Sequence, residues 1–279
     1  MPPSTDLPAL LLVGHGSKDM DGNVDFLKMA ERAKARFPGR KVQGCFIEYC
    51  DPEVPEGLDL LVTAGARNVT VVPVILFPAG HVKMDVPGSL DGARIRHPGV
   101  TFRYGAPIGV QSGLFPVLRA KAEAVEKARG WGPDRSKTIV LLIGRGSSDP
   151  DANADLHKIA RYLWEGSGWM DVQVCFSGIT SPRFEAGVAR CRALGATRIV
   201  MIPYFLFTGI LLKRLRRQSE EMRPRFPGID WGFAPELGHE DEILDIVQAR
   251  VKEVEAGEVR MSCDLCHHRI AAAEKTSDD

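Results

Sequence analysis

The residues of this chain best suited to chemistry are two imidazoles and a carboxylate: His15, His81 and Glu48. Each follows an apolar run. His15 comes after ALLLVG, Glu48 after VQGCFI, and His81 after VVPVILFPAG. Neutral imidazole is the commonest nitrogen ligand for a divalent transition metal. The same kinds of side chain can also accept protons in catalysis. Taken singly, each has an ordinary explanation: His15 as a turn cap, His81 as a surface loop residue, Glu48 as a solvated strand end. Only the elements that carry them can bring them together.

Those elements are readable because the chain contains its first half twice. LLLVGHGSKD at 10–19 returns as VLLIGRGSSD at 140–149, an offset of 145 − 15 = 130 residues. The same offset pairs Cys45 and Phe46 with Cys175 and Phe176, Pro52 with Pro182, and Gly65 and Ala66 with Gly195 and Ala196. It also sets VVPVILFPAGHVK at 71–83 on MIPYFLFTGILLK at 201–213 without a gap.

Each half reads as strand, glycine turn, helix, strand, helix, strand, helix, short strand, helix. The expected strands are 9–13, 42–49, 69–76 and 101–104 in the first half, and 139–143, 172–179, 199–205 and 230–233 in the second. Asp21 and Asp151 are the expected helix caps. A helix should begin near Pro52 or Pro182 and end at Gly65 or Gly195. This alternation predicts an α/β fold of two doubly wound, flavodoxin-like lobes, each a parallel sheet flanked by helices. The expected division is an N-terminal lobe at 1–130, a C-terminal lobe at 137–256 after a turn-rich linker, and a tail at 257–279.

In such sheets ligands bind beyond the carboxyl ends of the strands. The first half delivers His15, Ser17, Glu48 and His81 there. The second half has Arg145, Ser147, Gly178 and Leu211 at the same positions. One half has lost both imidazoles and the carboxylate while keeping the framework. The expectation is a single working site in the first lobe, with the second lobe as the opposite wall of a cleft.

Composition removes other classes. Thirty-six basic residues balance 36 acidic ones, which argues against bulk nucleic-acid binding. No apolar run approaches the roughly 18–20 residues that span a bilayer. The first residues lack a basic leader and run directly into a core strand, so a cytoplasmic location is expected. Six cysteines in 279 residues do not make a disulfide scaffold.

The GHGS turn, the glutamate and following proline around the second strand's end, and the P-x-x-L-F-x-A-G-H-V run resemble the class II tetrapyrrole chelatases. The long, duplicated sirohydrochlorin cobaltochelatases are the most similar form. They share both the internal repeat and a Met-x-Cys-x-x-Cys tail, here Met261 to Cys266. The resemblance implies ATP-independent insertion of Co2+ into sirohydrochlorin, on a route to cobalamin. His15 and His81 match the family's two active-site histidines, and Glu48 matches its acidic residue. These three would be both the catalytic groups and the cobalt ligands. In keeping with ATP independence, the chain has no Gly-x-x-x-x-Gly-Lys-Ser/Thr loop. The ring is a polycarboxylate, so basic residues should line its site. Arg145, Lys213 and Arg214, with Ser17, are the expected substrate-binding groups.

An N/O ligand set does not select cobalt by intrinsic affinity, so iron or nickel insertion is the alternative activity. A non-catalytic tetrapyrrole or metal carrier is another. A phosphoryl-transfer enzyme with His15 as nucleophile leaves His81 unexplained. In the tail, Cys263 and Cys266 resemble iron–sulfur ligands, but a cluster normally takes four thiolates. Two chains could share one as a homodimer, other ligands could help, or the motif could be vestigial. A zinc half-site and a reversible thiol pair are the remaining readings.

Overall fold

The computed structural model describes residues 7–238 and 240–259. In chain order the first repeat forms β1 (Ala9–Gly14), α1 (Met20–Arg36), β2 (Val42–Phe46), α2 (Val54–Thr63), β3 (Asn68–Pro73), α3 (Val86–Arg96), β4 (Thr101–Tyr104) and α4 (Leu114–Ala128). The second forms β5 (Thr138–Gly144), α5 (Pro150–Trp164), β6 (Asp171–Phe176), α6 (Phe184–Ala193), β7 (Arg198–Pro203), α7 (Ile210–Met222), β8 (Asp230–Phe233) and α8 (Asp241–Ala256). A π-helical turn, His81–Asp85, precedes α3.

Each repeat builds one four-stranded parallel sheet, ordered β2-β1-β3-β4 and β6-β5-β7-β8. The expected fold class is the one observed. The first strand of each repeat lies between two neighbours and is buried along its whole length, which is why it reads as an unbroken apolar run. Leu11 and Val13 of β1 pack with Leu58 and Leu61 of α2 and with Leu90 and Ala93 of α3. Ile139, Leu141 and Ile143 build the matching core in the second sheet.

Several boundaries differ from the sequence reading. The caps of α1 and α5 are Asp19 and Asp149, whose carboxylates accept from the Asp21 and Asp151 amides. β2 stops at Phe46 rather than at residue 49, and β3 at Pro73 rather than at 76. Regular pairing ends there because β1 itself ends at Gly14; past it Ile47 and Glu48 keep single bonds to the Gly14 and His15 carbonyls, and Val74 N bonds the Val13 carbonyl.

The compact units also differ from the repeats. Among the described residues, one unit holds 7–109 and 244–259, and the other holds 110–238 and 240–243. The repeat boundaries of 1–130 and 137–256 therefore do not mark the packing, because the last helix of each repeat crosses over. Leu114, Val117, Leu118, Ala122 and Val125 of α4 are buried in the second unit. There Arg129 pairs with Asp230, and Lys121 Nζ lies 2.6 Å from Glu240. Conversely α8 lies in the first unit: Arg250 donates to the Ile108 carbonyl at 2.8 Å, and Glu255 pairs with Arg40. A β-carbon on Gly105 would meet Val254 at 2.6 Å, so the close approach of α8 requires glycine there. No helix among the described residues is long and apolar enough to cross a membrane.

Candidate active site

All three chemically apt residues fall in the first unit, beyond the carboxyl ends of β1, β2 and β3. His15 follows β1. Past Phe46 the chain stays bonded to the β1 extension: Ile47 N donates to Gly14 O at 3.0 Å and Glu48 N to His15 O at 3.2 Å. These two bonds carry Glu48 alongside His15. The next residue, Tyr49, is the one non-glycine with positive φ among the described residues, at +68°. Such backbone is uncommon outside glycine and is often found where function fixes the chain.

His81 opens the π-helical turn. Val86 N bonds the His81 carbonyl, one residue further back than in an α-helix. Pro87 has no N–H for the carbonyl of Lys83, so a regular helix cannot run through this point. From β4, the Tyr104 hydroxyl donates to the Val82 carbonyl at 2.8 Å and ties the turn to the sheet. Burial pushes the Tyr104 phenol well above its ordinary range, so it stays a neutral donor. Asp85, four residues after His81, accepts from His81 Nδ1 at 2.6 Å.

The outcome is a compact set. His15 Nδ1 is 3.6 Å from Glu48 Oε1, and His81 Nε2 is 3.9 Å from the same oxygen. The imidazole rings meet edge to face with centroids 4.9 Å apart. One ligand atom from each residue falls within a 4.8 Å sphere of separations, and all three side chains are half-buried. Among the described residues this is the one group of His, Cys, Asp and Glu close enough to hold a metal ion. Two nitrogens and one oxygen leave coordination positions free for other donors, as catalytic metal sites require.

Of the other expected site residues, Ser17 stands two residues beyond His15 in the same turn. Ser17 uses its hydroxyl oxygen to accept from Asp19 N at 3.0 Å, and its carbonyl accepts from Asn23 Nδ2 at 2.8 Å. Ser147 makes the same two bonds with Asp149 and Asn153 in the half without imidazoles, so they build the turn. Arg145 is exposed just past β5, and Lys213 is exposed on α7. Arg214 is half-buried and donates to the Ser177 carbonyl at 3.0 Å, a bond that fixes the chain after β6. These three belong to the second unit. At Gly178, the counterpart of Glu48, a β-carbon would stand 2.3 Å from the Arg145 carbonyl oxygen. The second unit thus has no room for the missing carboxylate on this backbone. Cys45, Cys175 and Cys191 are buried core thiols; burial raises all three, Cys191 to about 12, which suits packing and not ligation. Cys263 and Cys266 lie outside the described residues.

A model of the CbiX family matches residues 9–125 and again 139–254, one match per repeat. The chain belongs to the CbiX family. It is a class II tetrapyrrole chelatase of the duplicated form. A sirohydrochlorin cobaltochelatase of Priestia megaterium is 38% identical over 272 residues, covering 96% of this chain and 87% of the relative. A sirohydrochlorin ferrochelatase of the same organism is 30% identical, covering 88% of this chain and 90% of the relative. Among solved structures, the sirohydrochlorin chelatase SirB from Bacillus subtilis subspecies spizizenii in complex with cobalt superposes with a TM-score of 0.75. It is 26% identical and covers 88% of this chain and 94% of that one.

Sequence reasoning on this CbiX-family chain missed two residues of the site, Asp85 and Tyr104. A signal for both was present. Asp85 sits at i+4 from His81, where helical side chains meet. Its counterpart at the repeat offset is Leu215, and strand pairing sets Tyr104 opposite Val71 just as Phe233 lies opposite Met201.

Proposed function

We propose that the chain inserts Co2+ into sirohydrochlorin without ATP, using His15, His81 and Glu48 as the residues that receive the metal ion. The single observation that carries this reading is the cluster of the three side chains within 4.8 Å in one repeat, set against its replacement by arginine, glycine and leucine in the other. Insertion exchanges one dication for two pyrrole N–H protons. The imidazoles hold the ion on one face of the ring and turn a bimolecular encounter into an oriented one. Glu48, within 4 Å of both imidazoles, compensates the charge of the dication or takes up a released proton. Arg145 and Lys213 are assigned to the ring carboxylates. The high coverage of the cobaltochelatase relative supports cobalt as the metal.

Iron is the second reading, favoured by the ferrochelatase relative that also aligns along most of the chain. The deciding experiment mixes protein and sirohydrochlorin anaerobically with Co2+, Fe2+ or Ni2+ and follows the visible spectrum. Enzyme-dependent metalation fastest with Co2+ is expected, and His15→Ala and His81→Ala should each lose most of it with the fold intact. Faster turnover with Fe2+ would move the assignment to iron. Ring binding without acceleration for any metal would make the chain a carrier.

A further inference from the structure

We propose that Asp85 is a positioning residue for His81: its carboxylate holds the Nδ1 proton and thereby commits Nε2 to the incoming metal ion. The inference rests on the reading of His81 as a metal ligand. Imidazole has two nitrogens, and only one that lacks a proton can bind a cation. Which one is free is set by the partner of the other. Here Asp85 Oδ2 lies 2.6 Å from Nδ1, and a carboxylate can only accept. The other nitrogen, Nε2, is the one facing Glu48. The bond therefore selects the tautomer and fixes the ring's rotation together.

The two repeats supply an internal control. At the 130-residue offset, His81 becomes Leu211 and Asp85 becomes Leu215. Leu215 is fully buried in its own core, whereas Asp85 is exposed. Tyr104, which anchors the π-helical turn, is matched in strand register by Phe233, which has no hydroxyl. The π-helical turn itself is absent: α7 runs as a regular helix from Ile210. Imidazole, carboxylate, anchoring hydroxyl and π-helical turn thus occur together in one repeat and are missing together in the other. Such turns cluster at functional sites in other proteins. A carboxylate needed only for the helix would have no reason to share the fate of the histidine. Outer carboxylates of this kind commonly contribute 10- to 100-fold to metal affinity.

The test compares Asp85→Leu, Asp85→Asn and His81→Ala. Co2+ affinity is read from the cobalt d–d absorption with no tetrapyrrole present, and KM for Co2+ is read separately from KM for sirohydrochlorin. Asp85→Leu should weaken Co2+ binding about 10- to 100-fold and raise KM for Co2+ in step, with KM for the ring unchanged. Asp85→Asn keeps a carbonyl oxygen that can accept the Nδ1 proton, and should recover most of the loss. Long-range 1H–15N spectra of the neutral His81 ring in the unaltered protein should place its proton on Nδ1, which needs no variant to fold. Unchanged Co2+ affinity in Asp85→Leu, failure of Asn to rescue, or a proton on Nε2 would each overturn the proposal. Wild-type Co2+ affinity in His81→Ala would instead overturn the ligand reading on which it stands.

Discussion

Gly16 lies so close to Glu48 that a β-carbon built on it would stand 1.7 Å from the Glu48 carbonyl oxygen. The glycine also holds φ at +86°, where L side chains are strained. Two independent demands for glycine therefore meet at the link between the first imidazole and the carboxylate. Gly16→Ala should lower stability by about 1–3 kcal/mol or more. It should also displace Glu48 and cut metal insertion beyond what the stability loss explains. Thermal melts and turnover of the folded fraction check both, and full turnover in the alanine variant would show that Glu48 can move without consequence.

Tyr104→Phe removes the donor to the Val82 carbonyl while keeping the ring. The expected stability loss is about 0.5–1.5 kcal/mol, the usual net value of one hydrogen bond. Because that bond tethers the turn bearing His81, KM for the metal should rise while KM for the ring stays unchanged. A rise in both would mean that the tyrosine serves the ring directly.

Asp59 gives the acid side of the stability profile. Desolvation alone would raise its carboxyl, but hydrogen bonds from His97 Nε2 at 2.7 Å and Arg96 at 3.0 Å outweigh this and hold it below its ordinary 3.8. A depressed carboxyl stabilises the fold fully above its unfolded pKa and loses that contribution as pH falls through the folded value. Asp59→Asn should therefore lower Tm at neutral pH, and the gap to the unaltered protein should close below about pH 4. A gap that stays constant down to pH 2 would assign the effect to packing instead.

Arg145→Glu reverses a charge at the strand end where the first repeat has His15. If it meets a ring carboxylate, KM for sirohydrochlorin should rise about tenfold or more, with Co2+ affinity in the absence of the ring unaltered. A change in Co2+ affinity alone would place Arg145 near the metal and not the ring.

The parallel sheets and the three clustered side chains were legible because buried parallel strands read as apolar runs, and because the repeat exposes what one half lost. Ser17 differs from them: its partner Ser147 is retained and makes the same turn bonds, so the repeat comparison that picks out the imidazoles says nothing of a substrate role for it. Asp85 went unseen since an exposed aspartate on a helix looks like solubilising charge, and only the leucine at its counterpart reveals otherwise. The crossing of α4 and α8 left no signal in periodicity. Their apolar stripes specify that one face is covered, not which sheet covers it. The close fit of Gly105 to Val254 becomes meaningful only once the neighbour is known.

That exchange sets an order on completion. The second unit is one continuous stretch of chain, whereas the first is interrupted by it and gains its last helix, α8, only near the chain's end. The unit that carries the imidazoles is therefore the one whose covering is supplied last.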